Sequence, residues 1–196
     1  DPRLRGYFGN AVAASVLGRR LDSPADIAAI AADVAYNSMD VLQAAHTFSG
    51  IEMALWDILG RARGEPVWKL LGYERSHPKT PYASLLFGDT PQQTLERGQD
   101  AIRRGFRAAK FGWGPIGRGS VQQDADHFFA AREGLGADGI LLVDVGQIFG
   151  EDVERAAQRL DALEQARAVW LEEPFHASAL GEYGALAKRC RTVRLA

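Results

Sequence analysis

Apolar and polar positions along this chain fall into two textures. From about Thr80 onward, short apolar runs of strand length alternate with stretches whose apolar residues recur at helical spacing. Strands are expected over residues 81–87, 107–111, 139–144 and 168–172, with another starting at Thr192. Helices are expected between them, over 90–104, 121–133, 151–166 and 179–189. The clearest is 151–166, where Val153, Ala156, Ala157, Leu160 and Leu163 repeat every three or four positions. The opening 75 residues are mostly helical, with residues 1–22 the least defined by pattern. Ser23-Pro24-Ala25-Asp26 pairs a cap residue with a first-turn proline and starts a helix reaching about Ser38. A second is expected from about Thr47, with Ile51, Ala54, Leu55, Ile58 and Leu59 as its apolar face, closed near Gly64 and Pro66. Residues 67–72 read as one further turn, and 10–17 as a short helix or a packed loop.

Strands that recur roughly every 23 to 32 residues with a helix between suit right-handed βαβ units in a parallel sheet. There are four complete units and the start of a fifth. A closed barrel needs eight, and half of one would leave two strand edges open. The alternative, an open doubly wound sheet for a dinucleotide, calls for a glycine fingerprint that Gly112-Trp113-Gly114-Pro115-Ile116-Gly117 fits poorly. The fold class expected is therefore α/β, part of a TIM-like (β/α) barrel of about four and a half units. Residues 76–196 form this part of a barrel, and residues 1–75 the helical segment before it.

Two of the strands end on acids: Ile140-Leu141-Leu142-Val143-Asp144, and Ala168-Val169-Trp170-Leu171-Glu172. In a parallel barrel the C-terminal strand ends surround one pocket, so Asp144 and Glu172 can share it. Neighbouring carboxylates repel unless a proton or a cation lies between them, and a hard divalent cation suits oxygen ligands.

Composition narrows the partners without changing that picture. With 46% hydrophobic and 24% charged residues and a net charge of −2, the chain is ordinary for a soluble globular protein. It has no basic field to recruit nucleic acid or anionic membrane. No apolar run nears the ~20 residues of a transmembrane span. One cysteine, Cys190, excludes an internal disulfide and fits a reducing, cytoplasmic setting.

Three stretches together resemble the enolase superfamily, in its mandelate racemase and muconate-lactonizing branch, over roughly residues 45–196. Ser49-Gly50-Ile51-Glu52-Met53-Ala54-Leu55-Trp56-Asp57-Ile58-Leu59-Gly60 with Pro66-Val67-Trp68-Lys69-Leu70-Leu71-Gly72 is similar to the helix joining the family's capping domain to its barrel. Gly105-Phe106-Arg107-Ala108-Ala109-Lys110 is similar to barrel strand two with its lysine. Val143-Asp144 and Trp170-Leu171-Glu172-Glu173-Pro174 are similar to strands three and four with their metal ligands. The resemblance implies a Mg2+ ion held by Asp144, Glu172 and a third acid after strand five, gripping a substrate carboxylate while a base removes the adjacent carbon-bound proton. Lys110 is implied as a catalytic and substrate-contacting residue. Against the family pattern, the chain is expected to begin late and stop before the third ligand, and to be inactive alone.

Two departures bear on the reaction. Many members carry Lys-x-Lys on strand two, but here Lys110-Phe111-Gly112 puts glycine at the second position, on the same side of the strand as Lys110. Asp144-Val145-Gly146 likewise has glycine where Asp-x-Asn or Asp-x-His is common. Gly112 and Gly146 are expected to open room for a bulky substrate or for the 112–119 loop, which can act as a lid offering Trp113 or Arg118. Without the strand-two base, dehydration of a sugar acid is favoured over racemisation or cycloisomerisation, with the base coming from the other half of the barrel. Lys110 as the base is a minority reading. Two further readings stay open: a relative that has lost catalysis and acts as a binding or scaffold protein, and a Schiff-base lyase with Lys110 as nucleophile. The expected partners are a small-molecule carboxylate of the sugar-acid type and, at full length, further copies of the chain. Among the histidines, His176 after strand four is a candidate substrate contact, whereas His77 and His127 are expected at the surface. Glu173 points away along the strand and reads as structural. Trp56 and Trp68 are expected in the core.

Overall fold

The computed structural model of the chain describes residues 11–39 and 42–196. It divides into two compact units, residues 1–78 and 79–196. Asn10, the first residue of the expected 10–17 segment, lies outside the described residues.

Among the described residues of the first unit, four helices follow one another: α1 (Ala11–Val16), α2 (Pro24–Asn37), α3 (Leu42–Arg63) and α4 (Val67–Leu70). The α2 start works as its residues dictate. The Asp26 carboxylate accepts the Ser23 amide at 2.7 Å and the Asp22 amide at 2.9 Å, satisfying donors that the helix leaves free. Val12, Ile30, Val34 and Phe48 make one buried cluster, and Ile27, Leu59 and Leu70 another. Helix α3 begins five residues earlier than its periodicity suggests, and its buried stripe differs from the expected face. Phe48, Leu59 and Gly60 are buried, Ile51 and Leu55 partly so, while Ala54 and Ile58 are exposed. The stripe advances by the helical 3.6, which leaves 54 and 58 to one side of it. Gly60 must be glycine, because a Cβ there would meet the Glu65 carbonyl oxygen at 2.9 Å. Trp56 is half-buried and packs against the Ile27, Leu59 and Leu70 cluster as expected, whereas Trp68 is half-buried outside it. The Trp56 indole donates to Glu52 Oε1 at 3.3 Å.

The second unit holds five strands, β1 (Ala83–Leu86), β2 (Ala108–Gly112), β3 (Ile140–Asp144), β4 (Ala168–Glu172) and β5 (Arg194–Leu195). All pair in parallel, in chain order. Between them run α5 (Pro91–Arg103), α6 (Val121–Leu135), the pair α7 (Val153–Ala157) and α8 (Leu160–Gln165), and α9 (Leu180–Ala187). One face of the sheet carries Ala109, Phe111, Leu141, Val143 and Leu171 into the main core with Phe128, Leu163 and Leu186 from the helices. The other face is concave. Tyr82, just before β1, meets Trp170 of β4 edge-on with ring centroids 6.3 Å apart. In a flat sheet those strands would lie about 14 Å apart, at ~4.8 Å per strand. The sheet is therefore rolled, as in a barrel wall.

Two local departures from the expected elements matter. Residues 151–166 form two short helices, not one. At the join, the Arg159 amide bonds Ala156 O at 3.0 Å, a tightened turn that carries its side chain inward. There Arg159 Nε donates to Asp124 Oδ2 at 2.9 Å, both side chains almost fully buried. Both Asp124 oxygens also accept the Gly117 amide, at 3.0 and 3.1 Å. Arg155 reaches the carbonyls of Gly117 and Ile148. One buried carboxylate with two arginines thus ties the loop after β2 to the loop after β3. The second departure is His127. Expected at the surface, it is 4% exposed, its Nδ1 2.9 Å from Thr94 Oγ1 and its ring edge-on to Phe87. An amphipathic helix with small residues around it turns that ring inward, which spacing alone does not reveal.

Removing one partner of a buried, hydrogen-bonded ion pair leaves the other uncompensated. Asp124→Ala is expected to lower the unfolding free energy by about 3–5 kcal/mol in urea denaturation. An effect within a few tenths would show that the pair is replaceable. For His127, burial lowers the ring pKa below its ordinary 6.5, outweighing the opposing charges of Asp124 and Asp126. The unfolded chain then binds the proton more readily than the folded one. Stability is full above about pH 6.5 and falls as the pH drops below that value toward the folded pKa. Urea midpoints at pH 7.5 and 5.5 should differ by less in His127→Gln than in the wild type.

Candidate active site

The C-terminal ends of β3 and β4 carry the acids of the concave face, beside the end of β2. Register brings Gly112, Asp144 and Glu172 side by side. That alignment depends on an irregularity in β4. Leu141 pairs with Ala168 but Val143 with Leu171, so β4 accommodates one extra residue. The insertion switches which face the following residues take. Ala168 and Leu171 both pack on the core, and Glu172 falls beside Asp144.

Lys110, two residues before the end of β2, points to the same face. Its Nζ lies 2.9 Å from Asp144 Oδ2 and 2.7 Å from Glu172 Oε1. The three side chains are 14%, 13% and 24% exposed, so the charges meet largely out of water. Burial alone would lower the Lys110 pKa. The hydrogen bonds and negative charges of Glu172 and Asp144 outweigh it and hold the amine well above its usual range, firmly as an ammonium. The acids have further donors. Asp144 Oδ1 accepts the Gly146 amide at 3.0 Å, and Glu172 Oε2 accepts the Trp170 indole N–H at 3.1 Å. The Tyr82 ring lies under the Lys110 ammonium, 5.9 Å from centroid to Nζ. Tyr82 and Trp170 are parts of this site that the motifs did not single out. Strand parity offered a signal for Trp170, which stands two residues before Glu172.

Lys110, Asp144 and Glu172 therefore come together. His176 does not join them: it is exposed on the loop after β4, with Nδ1 3.0 Å from Gln147 Oε1 and its amide on Gly150 O. Glu173 is exposed and left-handed, with φ +48°. At Gly146 the expected open room is taken, since a Cβ there would stand 2.3 Å from Trp113 Nε1. The indole already fills that space. Gly112 is different, for a Cβ would make only ordinary contacts with Asp144, at 3.7 Å and beyond. Arg118 stands further along a loop fixed through Gly117.

Two oxygen-only acids around one cation position suit a hard divalent ion. Among the described residues, no group of three or more His, Cys, Asp or Glu side chains is placed to hold a metal. Asp144 and Glu172 could thus supply two ligands of a larger set. Among the described residues, no helix is long and apolar enough to cross a membrane.

Comparison with known proteins agrees with this geometry. Residues 93–196 match the family described as enolase C-terminal domain-like. Residues 4–72 match the mandelate racemase / muconate lactonizing enzyme N-terminal domain, so the likeness extends through the helical segment and well before residue 45. A D-gluconate/D-galactonate dehydratase from Picrophilus torridus is 29% identical over 142 residues, 69% of this chain and 36% of that protein. The crystal structure of a predicted mandelate racemase from Rhodobacter sphaeroides superposes with a TM-score of 0.83 at 67% identity, over 94% of this chain and 47% of that one. A D-glucarate dehydratase from Agrobacterium tumefaciens, complexed with magnesium, gives 0.70 at 25% identity, over 86% and 47%. The chain spans about a third of the length of the curated relatives it matches and about half that of the solved structures. The rolled parallel sheet, its paired strand-end acids and these matches make the chain a member of the enolase superfamily, in the mandelate racemase/muconate lactonizing branch.

Proposed function

We propose that the protein holds Mg2+ through Asp144 and Glu172, removes a proton α to the carboxylate of a sugar acid, and dehydrates that acid. The observation that carries this reading is the Lys110 ammonium 2.9 and 2.7 Å from the two acids, a cation position already defined by oxygen ligands. A third acid, which the family resemblance puts after strand five, would complete the set. Bound there, Mg2+ would supply positive charge where the substrate carboxylate gains negative charge on losing its α-proton.

The chain's own residues divide the remaining work. A dication between the acids would free Lys110, which then stands beside the site as a hydrogen-bond donor for the substrate carboxylate. Without metal the amine is tied to both acids, whereas a Schiff-base role needs it free and neutral. Trp170 and the Gly146 amide hold the acids in place through their outer oxygens. His176 is the second proposed substrate contact. The base comes, by resemblance, from the other half of the barrel. It takes the α-proton and then assists departure of the β-hydroxyl as water, giving a 2-keto-3-deoxy acid.

Racemisation is the second reading, suggested by the name of the Rhodobacter sphaeroides structure. It needs a proton-transfer group on each face of the carbon, and Gly112 offers none. The family resemblance and the single half-buried thiol, Cys190, support a reducing, cytoplasmic setting.

In D2O, the whole protein with Mg2+ is expected to exchange the α-proton of D-gluconate or D-galactonate, read by NMR, and to release the keto acid. Glu172→Gln and Asp144→Asn should each slow this by about a hundredfold or more. Exchange that survives EDTA unchanged would sink the metal reading. Lys110→Met separates the roles: Mg2+ affinity, by calorimetry, is kept or raised, while the sugar acid binds about tenfold more weakly. Without metal the variant should lose about 1–3 kcal/mol in urea denaturation, because its acids are left without a cation.

A further inference from the structure

We infer that Trp113 is a specificity-determining residue, a wall beside Asp144 against which the carbon chain of the bound carboxylate lies. This rests on the carboxylate-binding reading above. Four observations converge on it. The Trp113 amide donates to Asp144 O at 3.1 Å, one bond beyond the end of β2, so the residue is fixed to the strand that presents the acid. Its indole edge lies against Gly146, whose amide in turn donates to Asp144 Oδ1 at 3.0 Å. Indole, glycine and carboxylate form one continuous chain of contacts. Trp113 is nonetheless 60% exposed, so much of its apolar surface is open beside a charged site. Its backbone is left-handed, with φ +53°, a conformation that a tryptophan rarely adopts and that the surroundings must enforce.

The surroundings do enforce it. A Cβ on Gly114 would meet Phe87 Cβ at 3.0 Å and its carbonyl oxygen at 3.1 Å, so the turn after Trp113 is pressed against the loop after β1. Gly117 is held by Asp124. Gly146, at φ +50°, could not carry a side chain without evicting the indole. Gly112 leaves the ground between Lys110 and Trp113 without a side chain although the fold would admit one. A carboxylate held by Lys110 at one end would therefore extend its substituent over bare backbone toward the indole. An indole face packs well on C–H groups and is indifferent to the charged end. The ligand class is thus a carboxylate with an extended or ring-bearing substituent, rather than a one- or two-carbon acid.

The test compares the whole protein as wild type, Trp113→Ala and Trp113→Phe, by calorimetry with Mg2+ alone and then with acids at saturating Mg2+. The long probe is whichever of D-gluconate, galactarate and mandelate binds the wild type most tightly; the short probe is glycolate. In Trp113→Ala, affinity for the long probe should fall by about fivefold or more while Mg2+ and glycolate affinities stay within about twofold. Trp113→Phe should recover most of the loss. Long and short probes weakened equally, or neither weakened, with Mg2+ binding intact, would overturn the assignment of Trp113 alone. A wild type that binds neither Mg2+ nor any of these acids would overturn the metal-site reading and this inference with it.

Discussion

Three charges at the ends of three adjacent strands organise this half of the sheet. Two carboxylates brought side by side by register would repel, and the Lys110 ammonium removes that cost from within the chain. The arrangement is self-consistent without metal and is suited to one. Every neighbouring feature serves the same trio: the Trp170 indole and the Gly146 amide occupy the outer oxygens, and the Tyr82 ring lies under the ammonium. The rolled sheet makes this convergence possible, because a flat sheet would hold β1 and β4 too far apart for Tyr82 and Trp170 to meet.

Much of this was legible in the residues. The apolar runs that end on Asp144 and Glu172 marked both strands and both acids, and strand–helix alternation marked a parallel sheet. What spacing could not supply was parity inside β4. The extra residue between Ala168 and Leu171 decides that Glu172 stands beside Asp144 and not behind it, and no local residue type announces it. His127 was misplaced for a related reason. Helical periodicity says which residues share a face but not how deep that face is buried, and Phe87 and Thr94 reach it from other elements. The glycines were half legible. Gly112 and Gly146 were visible as missing side chains, but only the fold distinguishes a position left bare from one already filled by Trp113.

The split of residues 151–166 follows the same logic at the level of a helix. Its apolar periodicity is real, and Ala156, Leu160 and Leu163 are buried as it implies. The polar residue within it breaks the run, because the Arg159 guanidinium has its partner inside the protein, on Asp124. A charged residue in an otherwise amphipathic stretch is thus read better by asking where its partner could be than by assigning it to solvent.

The tether through Asp124 has a consequence for how the family's chemistry can diversify on this frame. Because one buried carboxylate, with Arg155 and Arg159, ties Gly117 of the loop after β2 to Ile148 of the loop after β3, a change of length that displaces either residue loses the shared anchor. Insertions, the usual route by which barrel loops acquire new preferences, keep the anchor only where they fall away from Gly117 and Ile148. Exchanging a side chain such as Trp113 leaves both anchored residues where they are.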